Sequence, residues 1–265
     1  MAVGYKPFDF KKLYKKLREL EIPFVIVGGQ AVNLWASKYE KRIKGLTSMR
    51  PFTSLDLDLY TDSQNAVSKT AKALHCRHFL GDAGSPDIVL GGLWLRSHGN
   101  DELLVQFLNG TIGIKKPERI FETSQDYQWE EENLTFPVMH PVLTLESKLR
   151  CIYALDQRGR NDLRHLRMAI KYLRCFIEDG VFEGDSKSVL GMIKQVKRIC
   201  LSTEGVRCCH DYNLKIENSL PIGSISKSRE PKLRRFIESE WPVMKNQILN
   251  RRRRGKTKPP LAKLA

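Results

Sequence analysis

Residues 24–27, Phe-Val-Ile-Val, form an unbroken apolar run of strand length, and Gly28-Gly29 stops it. Gln30-Ala31-Val32-Asn33-Leu34-Trp35 behind them reads as the start of a helix. Further on, Leu55-Asp56-Leu57-Asp58-Leu59-Tyr60 alternates apolar with acidic, a strand pattern that points Asp56 and Asp58 the same way. Helical periodicity predicts helices over residues 8–20 (Phe10, Leu13, Leu17 and Leu20 forming the stripe), 63–75 with Ser63 as N-cap, 142–155, 162–177, 185–201 and 230–249. Pro242 predicts a kink or a break in the last of these. Short strands are expected at 77–80, 88–90, 93–96, 102–108 and 134–138. Residues 36–53 and 202–228 read as connectors. The pattern is that of an α/β region followed by helices.

The chemistry of the first stretch narrows its meaning. Adjacent glycines between a strand and a helix let backbone N–H groups approach a phosphate at the positive end of the helix. Two carboxylates side by side on an apolar strand repel and lose hydration unless a cation lies between them. Mg²⁺ suits such a pair, since it takes one or two carboxylates plus substrate phosphates. The bland alternatives are a plain turn and a polar strand edge. Taken in order, however, turn, helix start and acid pair point to phosphoryl-type chemistry on a nucleotide.

The order Gly28, Gly29, Ala31, Arg50, Ser54, Asp56, Asp58, Leu59 resembles the nucleotidyltransferase superfamily typified by DNA polymerase β. It is nearer to the minimal bacterial abortive-infection (type IV toxin) branch. A second stretch, running from Pro141 through Leu145, Glu146, Lys148, Leu149, Ala154, Arg158, Arg160, Asp162, Leu163 and Leu166, resembles the same branch. The resemblance implies a mixed sheet flanked by helices, with a helical C-terminal domain. It also implies transfer of a nucleoside monophosphate from an NTP to a hydroxyl, with Mg²⁺ or Mn²⁺ on Asp56 and Asp58. Gly28, Gly29, Gln30, Arg50 and Ser54 would bind the nucleotide, Lys148 would sit on its triphosphate, and Asp162 would act as metal ligand or base. Gln106 stands where the superfamily often has a third carboxylate, and Asp162 would make up for it. The implied acceptor is RNA such as a tRNA 3′ end, and the implied partner an antitoxin protein.

Charge sharpens the acceptor. The chain carries a net +15, and residues 151–265 hold 25 Lys and Arg against 12 Asp and Glu. The second half is therefore the side that would face a polyanion. Arg251, Arg252, Arg253, Arg254, Lys256 and Lys258 form a run that cannot bury itself, expected to be a disordered, nucleic-acid-binding tail. The expected domains are residues 1–139, a basic helical domain over 140–250, and the tail 251–265. Without a signal peptide or an apolar run long enough to span a bilayer, the expected location is the cytoplasm, with no membrane partner. The six cysteines lack C-x-x-C spacing and read as reduced thiols. Two rival readings stand: a small-molecule (antibiotic-type) adenylyltransferase, and a catalytically silent nucleic-acid-binding relative.

Overall fold

The computed structural model describes residues 4–82, 88–96 and 102–255. The chain divides into two compact units, Met1–Ala169 and Ile170–Ala265. This division differs from the expected boundary at 139/140, because the helices at Pro141–Ala154 and the start of the next group with the sheet.

The first unit is α/β, as expected. Its strands are β1 (Val25–Ile26), β2 (Asp56–Tyr60), β3 (Arg77–Leu80), β4 (Val89–Arg96), β5 (Glu102–Leu108), β6 (Gln125–Trp129) and β7 (Leu134–Val138). They form one mixed sheet in the order β3-β4-β5-β2-β1-β7-β6. β2 runs parallel to β5 and antiparallel to β1, and β1 runs parallel to β7. The helices are α1 (Lys11–Glu19), α2 (Gly28–Tyr39), α3 (Lys44–Thr47), α4 (Ala66–Leu74), α5 (Arg119–Glu122), α6 (Pro141–Ala154) and the start of α7 (Asp162–Phe182). Leu57 and Leu59 of β2, Val105 and Phe107 of β5 and Leu93 of β4 alternate onto one face and are fully buried. α2 packs on β2, and α4 on β3 and β4. α2 lies inside: every residue from Gly29 to Ala36 is buried, the polar Gln30 and Asn33 included. Its Trp35 donates to the Met139 carbonyl at 2.9 Å.

Several elements differ from expectation. Val89–Arg96 make one strand, since Gly91 takes a φ of +148° and the register shifts by a bulge there, so the glycine pair does not end the strand. Residues 36–53 are largely helical, as α2 runs to Tyr39 and is followed by a 3₁₀ turn and α3. Ser63 does not cap α4: its backbone N–H instead donates to Thr61 Oγ1 at 3.1 Å, and the helix starts after Asn65.

The second unit is helical: the rest of α7, then α8 (Ser186–Leu201), α9 (Thr203–Tyr212), α10 (Ile222–Ser226), α11 (Pro231–Arg235) and α12 (Trp241–Gly255). Asp185 caps α8 by accepting from Ser188 N at 3.0 Å. Ser202 caps α9 by accepting from Gly205 N at 3.0 Å, so the expected connector at 202–228 holds helices. A π turn at Phe236–Glu240 joins α11 to α12, widening the spiral just ahead of Pro242. Residues 251–255, expected as tail, are the last turn of α12. Arg252 is buried there and ion-paired with Glu217, and its carbonyl lies 3.1 Å from His210 Nε2. Lys256 and Lys258 lie outside the described residues. Among the described residues, no helix is long and apolar enough to cross a membrane.

Candidate active site

β2 turns Asp56 and Asp58 to the sheet face opposite Leu57 and Leu59, and both stay partly exposed. Ser54 Oγ donates to Asp56 Oδ1 at 3.1 Å. The glycine turn lies directly against the acids. Gly28 has a φ of +63°, and a Cβ built on it would come 2.0 Å from Asp58 Oδ2. A Cβ on Gly29 would come 2.5 Å from Ser54 Oγ and 3.2 Å from His165 Cε1. Only glycine admits both the left-handed turn and this approach. The N-cap residue Val27 gives the first N–H groups of α2 no side-chain hydrogen bond, and the positive end of that helix faces the acid pair.

Burial pushes the Asp58 carboxyl up to about 7, and the neighbouring Asp56 charge adds to the rise. Lys148 and Arg160 act in the opposite direction, so their cations are felt at the same carboxyl. Lys148 on α6 is buried and donates to Asp162 Oδ1 at 2.9 Å. Arg160 donates through Nε to Asp162 Oδ2 at 2.6 Å. Burial alone would raise the Asp162 carboxyl, but these two cations more than offset it and hold it below its ordinary value.

Asp162 is the shared ion-pair partner of Lys148 and Arg160. Each of its oxygens already accepts from a cation, and it binds none of the N–H groups of α7 as a cap would. Among the described residues, no group of three or more His, Cys, Asp or Glu side chains is placed to hold a metal. Gln106 is in register with Asp58 on the adjacent strand and is partly exposed, a neutral amide beside the acid.

Two other expected nucleotide ligands have protein partners in this structure. Gln30 is fully buried, and its Nε2 donates to the carbonyls of Tyr5 at 3.0 Å and Asp56 at 3.2 Å. It ties α2 to β2. Arg50 lies on the surface and grips Glu40 through two bonds of 2.5 and 2.6 Å. Of the expected tail cations, Arg252 is taken by Glu217, while Arg251 and Arg253 are exposed.

Residues that the sequence reading left aside also stand here. His165 is 3% exposed and neither ring nitrogen has a hydrogen-bond partner. Burial lowers its imidazole to about 3, and the Lys148 charge adds to this, so the ring stays neutral. Arg164 donates to the carbonyls of Met49 and Pro51, anchoring the segment that leads into β2. The signal for His165 was its spacing of three from Asp162 on one helix face.

No protein-family model matches this sequence, and no curated protein matches it. Among solved structures, the chain is similar to an antigenic nucleotidyltransferase-like protein from Paracoccidioides brasiliensis. The identity is 18% and the TM-score 0.43, over 62% of this chain and 75% of that one.

Proposed function

We propose that this chain is a nucleotidyltransferase that moves a nucleoside monophosphate from an NTP to a hydroxyl and releases pyrophosphate. The observation that carries the reading is the convergence on Asp58. A second carboxylate, the start of α2 and the charges of Lys148 and Arg160 all meet at one partly exposed spot. The donor set fits Mg²⁺ or Mn²⁺, because two carboxylates that disfavour joint ionisation gain from a cation, and substrate phosphates complete its shell. Asp56 and Asp58 would hold the ion, which when bound supplies charge neutralisation on the triphosphate.

The remaining work falls to this chain's own groups. The Gly28-Gly29 N–H groups receive phosphate oxygens. Lys148 and Arg160 offer positive charge where negative charge builds up on the transferring group. Asp162 keeps both cations in place and thereby aims them. His165, kept neutral, closes the floor under Gly29 without adding charge.

An RNA acceptor suits the +13 carried by residues 151–265 better than a cationic drug does. The abortive-infection resemblance extends this to a tRNA 3′ end, and to an antitoxin protein as regulator. One observation favours a second reading, a silent nucleic-acid-binding relative: Gln106 leaves the acid pair without a third carboxylate. Incubation with Mg²⁺, each labelled NTP in turn and total tRNA separates these. Label in RNA supports the proposal, and label in a small acceptor supports an adenylyltransferase of small molecules. RNA binding with no label anywhere supports the silent relative.

A further inference from the structure

From each carboxylate a row of in-register residues crosses the sheet toward its β3 edge. Asp56 pairs with Leu104, Leu104 with Trp94, and Trp94 with Arg77. Asp58 pairs with Gln106, Gln106 with Gly92, and Gly92 with Phe79. In-register neighbours share a face, so the rows lie on the acid side, opposite the buried Leu57, Val105 and Leu93. Leu104, Gln106, Trp94 and Phe79 are all half-buried, and Arg77 is exposed.

The far end of the rows is aromatic and cationic. The Phe79 and Trp94 rings lie 5.2 Å apart at 49°. A Cβ on Gly92 would come 2.7 Å from Phe79 Cε1, so the missing side chain is what lets that ring lean in over β4. The Arg77 guanidinium stands 5.3 Å from the centre of the Trp94 ring and is ion-paired with Glu102.

We propose that Trp94, Phe79 and Arg77 form a stacking platform for an unpaired base of the acceptor RNA strand. This rests on the nucleotidyltransferase reading for its geometry. Half-exposed rings beside a guanidinium take base faces with little regard to sequence, and only single-stranded bases present those faces. Strand spacing puts Trp94 roughly 10 Å across the sheet from Asp56, within the reach of a short single strand. The side of the acid pair decides the occupant. The glycine turn begins α2 on the β1 side of β2, whereas the platform lies on the β5 side. Attacking and leaving oxygens stand roughly in line across the transferred group. A triphosphate held at the turn therefore leaves the β5 side to the acceptor.

Fluorescence anisotropy with a labelled mixed-sequence single-stranded RNA, without NTP, tests this. Trp94→Ala is expected to weaken that binding about tenfold and Trp94→Phe to retain most of it. Affinity for an RNA duplex of equal length, and for ATP, should be unchanged. Wild-type affinity for the single strand in Trp94→Ala overturns the proposal, as does a loss shared equally with the duplex or a loss confined to ATP. If Trp94→Ala fails to fold, fluorescence quenching by the single strand carries the test. Quenching that is equal in wild type and Trp94→Phe overturns the platform. The two proposals fail separately. A Trp94-dependent single-strand binder that transfers no label sinks only the enzyme reading, and a transferase indifferent to Trp94 in binding sinks only the platform.

Discussion

Asp58 holds a proton to higher pH than an ordinary carboxyl because its half-buried place strips it of water, and the Asp56 charge adds to the rise. Its folded value, about 7, lies above the unfolded one near 4. The folded state therefore binds more protons between those values, and metal-free stability falls as pH rises from about 4 to about 7, then levels. Asp58→Asn removes this slope: the variant should melt higher than wild type at about pH 8, and the gap should close by about pH 4. Thermal melts in chelator at several pH values check it, and parallel curves would remove Asp58 as the titrating group. The same variant, like Asp56→Asn, should lose several kcal/mol of transition-state stabilisation, roughly 100-fold or more in transfer rate. Asp162→Asn makes a different prediction. It strands the buried Lys148 without its carboxylate, which should cost about 3 kcal/mol of stability. It also takes away a negative neighbour of Asp58, so the Asp58 carboxyl should titrate lower, as followed by carboxyl NMR. An unmoved Asp58 titration would show that the Asp162 charge is not felt at the acid pair.

At the level of elements, the decisive piece is the turn between β1 and α2. Gly28→Ala forces a side chain into the left-handed region, at roughly 1–2 kcal/mol, and drives a methyl into Asp58. It should lower both the melting temperature and transfer. Gly191, in the middle of α8, has nothing within 4 Å of a built Cβ. Gly191→Ala should instead stabilise, by about 0.5–1 kcal/mol, with transfer unchanged. Equal effects at the two glycines would contradict the close packing of the turn on the acid. Where elements were misjudged from sequence, the cause is visible locally. A bulge at Gly91 carries one strand through two glycines, and Ser202 starts a helix inside a serine-rich stretch. In both places weak local preference yielded to pairing or packing with distant residues.

The whole molecule carries +15, and its basic C-terminal run has two parts with different duties. Arg252 is inside, paired with Glu217, while Arg251 and Arg253 are outside. Truncation after Gly255 should leave stability unchanged and reduce the salt dependence of RNA binding, since Lys256, Lys258 and Lys263 are removed. Truncation after Asn250 should flatten that dependence further and also lower the melting temperature, because Glu217 loses its partner. Melts and salt titrations of the two truncations check this, and equal melting temperatures would make the Arg252–Glu217 pair immaterial to the fold. The sequence by itself determined the strand-turn-helix at residues 24–35, the shared face of Asp56 and Asp58, and the helices that bear Lys148 and Asp162. These depend on local periodicity and on glycine's conformational range. Only the tertiary structure decided which polar groups meet. It buried Gln30 against two carbonyls, gave Arg50 to Glu40, and closed Lys148 and Arg160 onto Asp162. It also set His165 beneath Gly29 and laid Trp94 and Phe79 on the rows that begin at the acids. Such meetings follow from strand register and helix packing between residues far apart in the chain, and no local pattern encodes them.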